Sequence, residues 1–302
     1  MIDALRTPDD RFADLPDWPY APRYVEALPG LGDLRLHFID EGPADAAATF
    51  LCLHGQPTWS YLYRRMIPVF RAAGHRVVAP DFFGFGRSDK PSDDGVYTFD
   101  FHRNTLLRFI AKHDLRRVVL VCQDWGGLLG LTVPMDMPER FERLLVMNTM
   151  LAGGDRPLSP GFLAWRDFAN SKPDMDAGGL LQRACPHLSA AEAAAYGAPY
   201  PDRSYKGGLR RFPNLVADRP NAPGAETARR ARGWWAEQWR GQSFMAIGMA
   251  DPVLGKAVME ALRADIRDCP PAMEIAEAGH FVQEWGAPIA QAALKAFGLA
   301  GS

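Results

Sequence analysis

Asp124, Asp251 and His280 have the residue types needed for nucleophilic hydrolysis, and they follow one another in an order that such chemistry uses. Asp124 lies in Val118-Val119-Leu120-Val121-Cys122-Gln123-Asp124-Trp125-Gly126-Gly127, an apolar run followed by one polar residue and then by small residues that open a helical pattern. This is the strand–turn–helix context of a nucleophile elbow, whose central residue sits on a strained turn. Such a turn requires small residues two positions away, and Cys122 and Gly126 meet that requirement, Cys122 in place of the commoner glycine. An aspartate capping the helix would produce the same local pattern, so the distant partners must decide. A carboxylate nucleophile can displace a leaving group at an sp³ carbon and form an ester. Water must then hydrolyse that ester with the help of a general base. A serine would imply acyl transfer, whereas Asp124 implies halide displacement or epoxide opening.

The base is His280, in Glu277-Ala278-Gly279-His280-Phe281. The order nucleophile, acid, histidine belongs to one fold-specific arrangement of the triad. His37, His75, His102, His113 and His187 have no comparable context. Asp251, at the end of Phe244-Met245-Ala246-Ile247-Gly248-Met249-Ala250-Asp251, would accept a hydrogen bond from His280 and stabilise its imidazolium. A turn aspartate before Pro252 is the competing reading. The other position for an acid, after the preceding strand, holds Asn148, which cannot carry the charge. In His54-Gly55-Gln56-Pro57 the backbone N–H of Gln56 can form half of an oxyanion hole, with the Trp125 N–H as the other half. An ordinary turn is the alternative, and His54 is expected to brace the loop.

These residues need a sheet to hold them. Strand patterns occur at 34–40, 49–53, 76–79, 117–122, 144–147, 243–248 and 272–276. Helical patterns occur at 61–73, closed by Gly74, and at 101–113, 126–135 and 256–264. The 117–122 run is apolar at nearly every position, which suits a central parallel strand buried on both faces. Alternating strands and helices imply an α/β fold with a mostly parallel sheet and right-handed crossovers. From 151 to 222 the texture changes to Pro, Gly, Asp and short helical pieces. The expectation is therefore an α/β-hydrolase core at 1–150 and 223–302, with an inserted helical cap at 151–222.

The chain has 302 residues, 47% hydrophobic and 23% charged, enough for a large core without metal or disulfide staples. A net charge of −2 gives no sign of a nucleic-acid partner. Arg229, Arg230 and Arg232 read as the wet face of a helix. Cys52, Cys122, Cys185 and Cys269 match no C-x-x-C spacing, and free thiols in apolar runs suit a reduced, cytoplasmic protein. The N-terminal segment lacks the apolar stretch of a signal peptide, and no run is long enough to span a bilayer.

The segments HGQPTWSYLYRRM, PDFFGFGRSDKP, VCQDWGGLLG, GFLAWRDF, RFPNLV, IGMADPVLG and EAGHFVQEWG resemble the haloalkane dehalogenases, in the branch whose acid follows the later strand. They run from about residue 53 to residue 285. The resemblance implies that two indole N–H groups hold the leaving halide: Trp125 beside the nucleophile and Trp165 in GFLAWRDF. Indole donates one hydrogen bond and cannot accept, so it can stabilise a halide without competing as a nucleophile. A cap-packing aromatic is the competing reading for Trp165. The resemblance also implies apolar pocket walls at Phe162, Phe212, Pro213, Val216, Leu254 and Phe281. The implied reaction converts a small halogenated alkane and water into a primary alcohol, halide and a proton. It needs no cofactor and no metal, and the enzyme is expected to act as a monomer. An epoxide hydrolase is the first rival, for which Tyr196, Tyr200 and Tyr205 could supply acidic donors. A haloacid dehalogenase would need cations near the nucleophile, where Trp125 stands. A binding protein that kept the fold and lost catalysis is the non-enzymatic rival.

Overall fold

The most apolar runs of the chain become the interior strands of one sheet. The computed structural model describes residues 2–300. The strands of its main sheet are β1 (Arg23–Val25), β2 (Leu36–Glu41), β3 (Thr49–Leu53), β4 (Arg76–Pro80), β5 (Val118–Gln123), β6 (Phe141–Met147), β7 (Gln242–Gly248) and β8 (Met273–Ile275). They lie in the order β8-β7-β6-β5-β3-β4-β2-β1. The pairs from β4 through β8 are parallel. Within this sheet, among the described residues, only β1 and β2 run against their neighbours. All six residues of β5 are buried, as its unbroken apolar character requires of a strand covered on both faces.

Helices α1 (Ile67–Ala72), α2 (Phe99–Lys112) and α3 (Trp125–Gly130) connect the earlier strands. Between β6 and β7 lie α4 (Pro160–Ser171), α5 (Ala177–Ala184), α6 (Ala190–Gly197), α7 (Gly207–Arg211) and α8 (Ala225–Glu237). Then α9 (Lys256–Asp265) precedes β8 and α10 (Gly286–Ala296) follows it. Side chains alternate across a strand, and the two faces of β5 therefore feed two cores. Val118, Leu120 and Cys122 pack with residues of α2, α3, α8 and α9, whereas Val119 and Val121 pack with residues of α1 and α10.

Differences from the sequence reading have local causes. The expected 61–73 helix is a 3₁₀ turn, Ser60–Tyr63, followed by a fresh start at Ile67. Pro68 lacks the N–H a continuous helix would need and is tolerated only in a first turn. Helix α3 stops at Gly130, short of the expected 135, with Pro134 close behind. Strand β1 has three residues with only Val25 buried, so it carries no alternation to read. Arg229 and Arg232, expected on a solvated face, reach Gly153 O and the Asp155 carboxylate.

Between 151 and 222 the described residues form helices and turns and no strand. Their starts are written in polar caps. Ser159 Oγ accepts from Phe162 N at 3.0 Å, and Ser189 with Glu192 forms a capping box at α6. Among the described residues no helix is long and apolar enough to cross a membrane. In a parallel sheet of this kind the crevice outside the carboxyl ends of the strands is where ligands collect. His54, Asp124 and Asn148 directly follow β3, β5 and β6, and Asp251 and His280 stand a few residues beyond β7 and β8.

Candidate active site

Asp124 has φ 50° and ψ −125°, a conformation that costs a non-glycine residue energy. It stands at the N-cap position of α3, yet its side chain makes no capping hydrogen bond. The carboxylate points the other way and accepts the Gln56 N–H at 2.8 Å through Oδ1. The backbone is pinned on both sides: Asp124 N donates to Asn148 O at 2.9 Å, and Thr149 Oγ1 donates to Asp124 O at 2.7 Å. A Cβ on Gly126 would come within 1.9 Å of Leu53 O, which is why the elbow needs glycine there.

His280 Nδ1 is 2.8 Å from Asp251 Oδ2, and its Nε2 is 3.5 Å from Asp124 Oδ2. Burial opposes the charged imidazolium, but the Asp251 carboxylate and then the Asp124 carboxylate overcome it and push the pKa up to about 10. The Asp251 side chain is fully buried. Burial works to raise its pKa, but His280, the Val253 N–H and Asn148 hold it below the ordinary value. Asp251 is at the same time a turn aspartate, since its Oδ1 accepts the Val253 N–H at 2.7 Å. Each reading of this residue describes one of its two oxygens.

Gln56 is held over the elbow by two contacts: its own N–H on Asp124, and its Nε2 on Leu209 O at 3.2 Å. His54 is fully buried beneath this loop. Its Nδ1 is 2.9 Å from Gly55 O, and its Nε2 accepts the Phe82 N–H at 2.9 Å. Nε2 therefore bears the lone pair and the proton is on Nδ1. Burial depresses the His54 pKa, so the ring stays neutral and ties two loops together.

A cavity of about 300 Å³ opens over these groups. Gln56, Asp124 and His280 are its polar floor. Trp125 and Trp165 are in its wall, with Phe162, Pro213, Val216, Leu254 and Phe281. Phe212 is a correction: it does not line the cavity but packs behind the Trp125 indole, ring centroids 4.7 Å apart. Phe212-Pro213-Asn214 forms a 3₁₀ turn, in which adjacent side chains cannot share one face. Trp59, Trp235 and Trp239 donate their N–H to Ala195 O, Leu131 O and Ser243 Oγ. Among the described residues the indoles of Trp18, Trp125, Trp165, Trp234 and Trp285 donate to nothing, and of these Trp125 and Trp165 line the cavity. The tyrosines that could serve an epoxide lie elsewhere: Tyr196 bonds the Glu284 carboxylate, Tyr200 bonds Pro57 O at 3.2 Å, and neither these nor Tyr205 lines the cavity. Among the described residues no lysine or arginine lines it.

Three contacts were not read from the sequence. Asn148 Nδ2 donates to Asp251 Oδ2 at 2.9 Å, so the residue set aside as uncharged braces the Asp251 carboxylate. Thr149 anchors the elbow. Gln123, fully buried, places Nε2 3.1 Å from His280 Nε2 and 3.0 Å from His280 O. Its signal was a polar residue closing an otherwise apolar strand.

The chain matches the family model described as the alpha/beta hydrolase fold over residues 48–287, and it belongs to that family. Relatives named haloalkane dehalogenase include one from Psychrobacter cryohalolentis, 43% identical over 93% of both chains. Haloalkane dehalogenase 1 of Mycobacterium tuberculosis is 43% identical over 94% of both. The solved tetrameric structure of a haloalkane dehalogenase from Paraglaciecola agarilytica NO2 is 52% identical, with TM-score 0.96, covering 98% of this chain and 99% of that one. Within the α/β-hydrolases, the chain is a member of the haloalkane dehalogenases.

Proposed function

We propose that the family's hydrolysis of carbon–halogen bonds runs here through Asp124, His280 and Asp251. An Asp124 carboxylate oxygen attacks the halogen-bearing carbon; a C–O bond forms, the C–halogen bond breaks, and halide leaves with the electron pair. The N–H groups of Trp125 and Trp165 receive it, and two such donors in an apolar cavity act on charge as it develops. Water then attacks the carbonyl carbon of the Asp124 ester and gives its proton to His280 Nε2. The Gln56 and Trp125 backbone N–H groups steady the oxyanion. Alcohol leaves, Asp124 is regenerated, and the proton passes to solvent.

The base changes character during the cycle. With Asp124 ionised, two carboxylates hold a proton on His280. Esterification removes one of those charges, so the hold on the ring proton weakens at the stage where a base is needed.

The observation that carries this reading is the Asp124 carboxylate itself: turned away from the helix it could cap, held by the Gln56 N–H, and facing His280 in an apolar cavity. Bromide release from 1,2-dibromoethane and 1-bromobutane, run beside styrene oxide hydrolysis, tests it. Halide release with wild type and none with Asp124→Ala is expected; diol formation without halide release would overturn it. His280→Phe is expected to release one bromide per active site and stop, as a trapped ester.

We also propose that residues 151–222 act as a cap domain over a core of 1–150 and 223–302, since Phe162, Trp165, Pro213 and Val216 come from that segment. Its size suits a short haloalkane, for a cavity of about 300 Å³ is at the small end of ligand pockets. The four unpaired, buried cysteines support a cytoplasmic location. The monomer suggested by the sequence has a rival in the tetramer of the Paraglaciecola relative, and light scattering in solution decides between a one-chain and a four-chain mass.

A further inference from the structure

Gln123 is the last residue of β5, and its side chain is fully buried among the groups that hold the base. A buried carboxamide is costly unless its hydrogen bonds are made, and here the partners fix which way it faces. Nε2 is 3.0 Å from His280 O and 3.1 Å from His280 Nε2, and Gln283 Nε2 donates to Oε1 at 3.3 Å. Exchanging the amide O and N would set oxygen against the His280 carbonyl oxygen, which can only accept. The NH₂ therefore faces the histidine.

An amide NH₂ only donates. When the ring is neutral, the nitrogen opposite it presents a lone pair, which places the imidazole proton on Nδ1, where Asp251 Oδ2 waits at 2.8 Å. An imidazolium would instead direct an Nε2–H at the amide hydrogens. We propose that Gln123 is the positioning residue that keeps His280 neutral, in its Nδ1–H tautomer, once Asp124 has become an ester. Nε2 then presents its lone pair to the hydrolytic water. This rests on the assignment of Asp124 and His280 above.

The ionisable groups facing the ring are Asp124 from the elbow and Asp251 from the turn after β7. The cavity residues contributed by α4 and α5 are Phe162, Trp165, Leu180 and Ala184, none of them ionisable. In the ester state only Asp251 still pulls a proton onto His280, and the Gln123 dipole opposes it. One amide N–H gives way to water at Nε2, while the other remains on His280 O and keeps the ring in place.

Single-turnover kinetics with 1-bromobutane separate the two half-reactions, bromide appearing with ester formation and alcohol with hydrolysis. In Gln123→Met the bromide burst is expected at its wild-type rate. The acid limb of the hydrolysis profile should move up by about one pH unit, the scale of one lost hydrogen bond, so hydrolysis falls about tenfold below the limb and recovers above it. Gln123→Glu, which sets a carboxylate against Nε2, should move the limb further. A loss equal at every pH, or an unmoved limb, overturns the proposal, because a purely structural role leaves the profile's shape alone. A wild type that releases no bromide is a failure of the parent reading instead. Should the Gln123 variants not fold, ring-¹⁵N NMR of Asp124→Asn, which mimics the uncharged ester, reads the protonation state of His280 directly. A neutral Nδ1–H tautomer at pH 7 with a ¹⁵N–¹⁵N coupling across the Gln123 Nε2–H···Nε2 His280 hydrogen bond supports the role, and an imidazolium, an Nε2–H tautomer or a neutral ring without that coupling overturns it.

Discussion

At Asp124 a strained backbone and an uncapped helix coincide, and the strain serves to aim a carboxylate. The indoles beside it are the residues on which the choice of leaving group rests. Removing one preorganised donor from a dry site costs catalysis roughly a hundredfold or more. Trp125→Phe and Trp165→Phe should each slow the bromide burst by about that factor, leaving ester hydrolysis at its normal rate. A burst unchanged in Trp165→Phe would return that residue to the packing role its sequence context also allowed. The proposed nucleophile, acid and base, Asp124, Asp251 and His280, were legible because each follows a strand pattern, in a fixed order. Gln123 and Asn148 were not legible in the same way, because each acts through a partner 157 or 103 residues away. Nothing in a local segment reveals that a buried amide will meet a histidine. The placing of Phe212 failed for a related reason: a motif fixes which residues are near the cavity, and the turn geometry decides which of them face it.

Among elements, a buried ionic cluster joins three pieces of chain around the site. Arg64, between the Ser60–Tyr63 turn and α1, meets Glu284 at 2.6 Å and 2.8 Å, and Glu192 of α6 at 2.9 Å. Arg65 reaches the same two carboxylates, and Tyr196 of α6 also bonds Glu284. Glu284 belongs to the 3₁₀ turn directly after His280 and Phe281, so the cluster fixes both the His280 loop and α6. Breaking a buried pair strands a charge and costs about 3–5 kcal/mol. Glu284→Ala should therefore lower the unfolding free energy by about that amount in urea titrations. The double variant Arg64→Met/Glu284→Leu should regain most of the loss; if it is no better than Glu284→Ala, the stranded charge is not the cause. Strands were easier to read than this cluster. Their apolar runs report burial directly, whereas Arg64 and Glu284 look like surface residues until the fold brings them together. The β1 strand escaped for the opposite reason, being too short and too exposed to impose a pattern.

Over the whole molecule, two buried bases should set opposing pH dependences. His280 has a folded pKa of about 10 against 6.5 in the unfolded chain. Its contribution to stability is fully present below pH 6.5 and is lost as pH rises through the folded value. Lys90 is fully buried, with Nζ on Gly86 O and Ser88 O, and burial lowers its pKa from 10.5 to about 7 despite Asp81 and Asp89. Between those two values the unfolded chain binds the extra proton, so this group makes stability rise with pH. The two effects overlap from pH 7 upward and oppose each other, and stability should be nearly flat between pH 7 and about 9. Above that, the four buried thiols, raised from 9.0 by burial, add a fall, since they ionise more readily once unfolded. On the acid side Asp81 and Glu192, both held down to about 2, lose their contribution as pH drops from about 4 towards 2. Lys90→Met removes only the rising component. Urea midpoints of this variant should decline steadily from pH 7 to 9 where those of the wild type stay level. Parallel curves for the two proteins would mean that Lys90 is not neutral in the folded state, and that its charge is accommodated by Asp81 and Asp89 in spite of its burial.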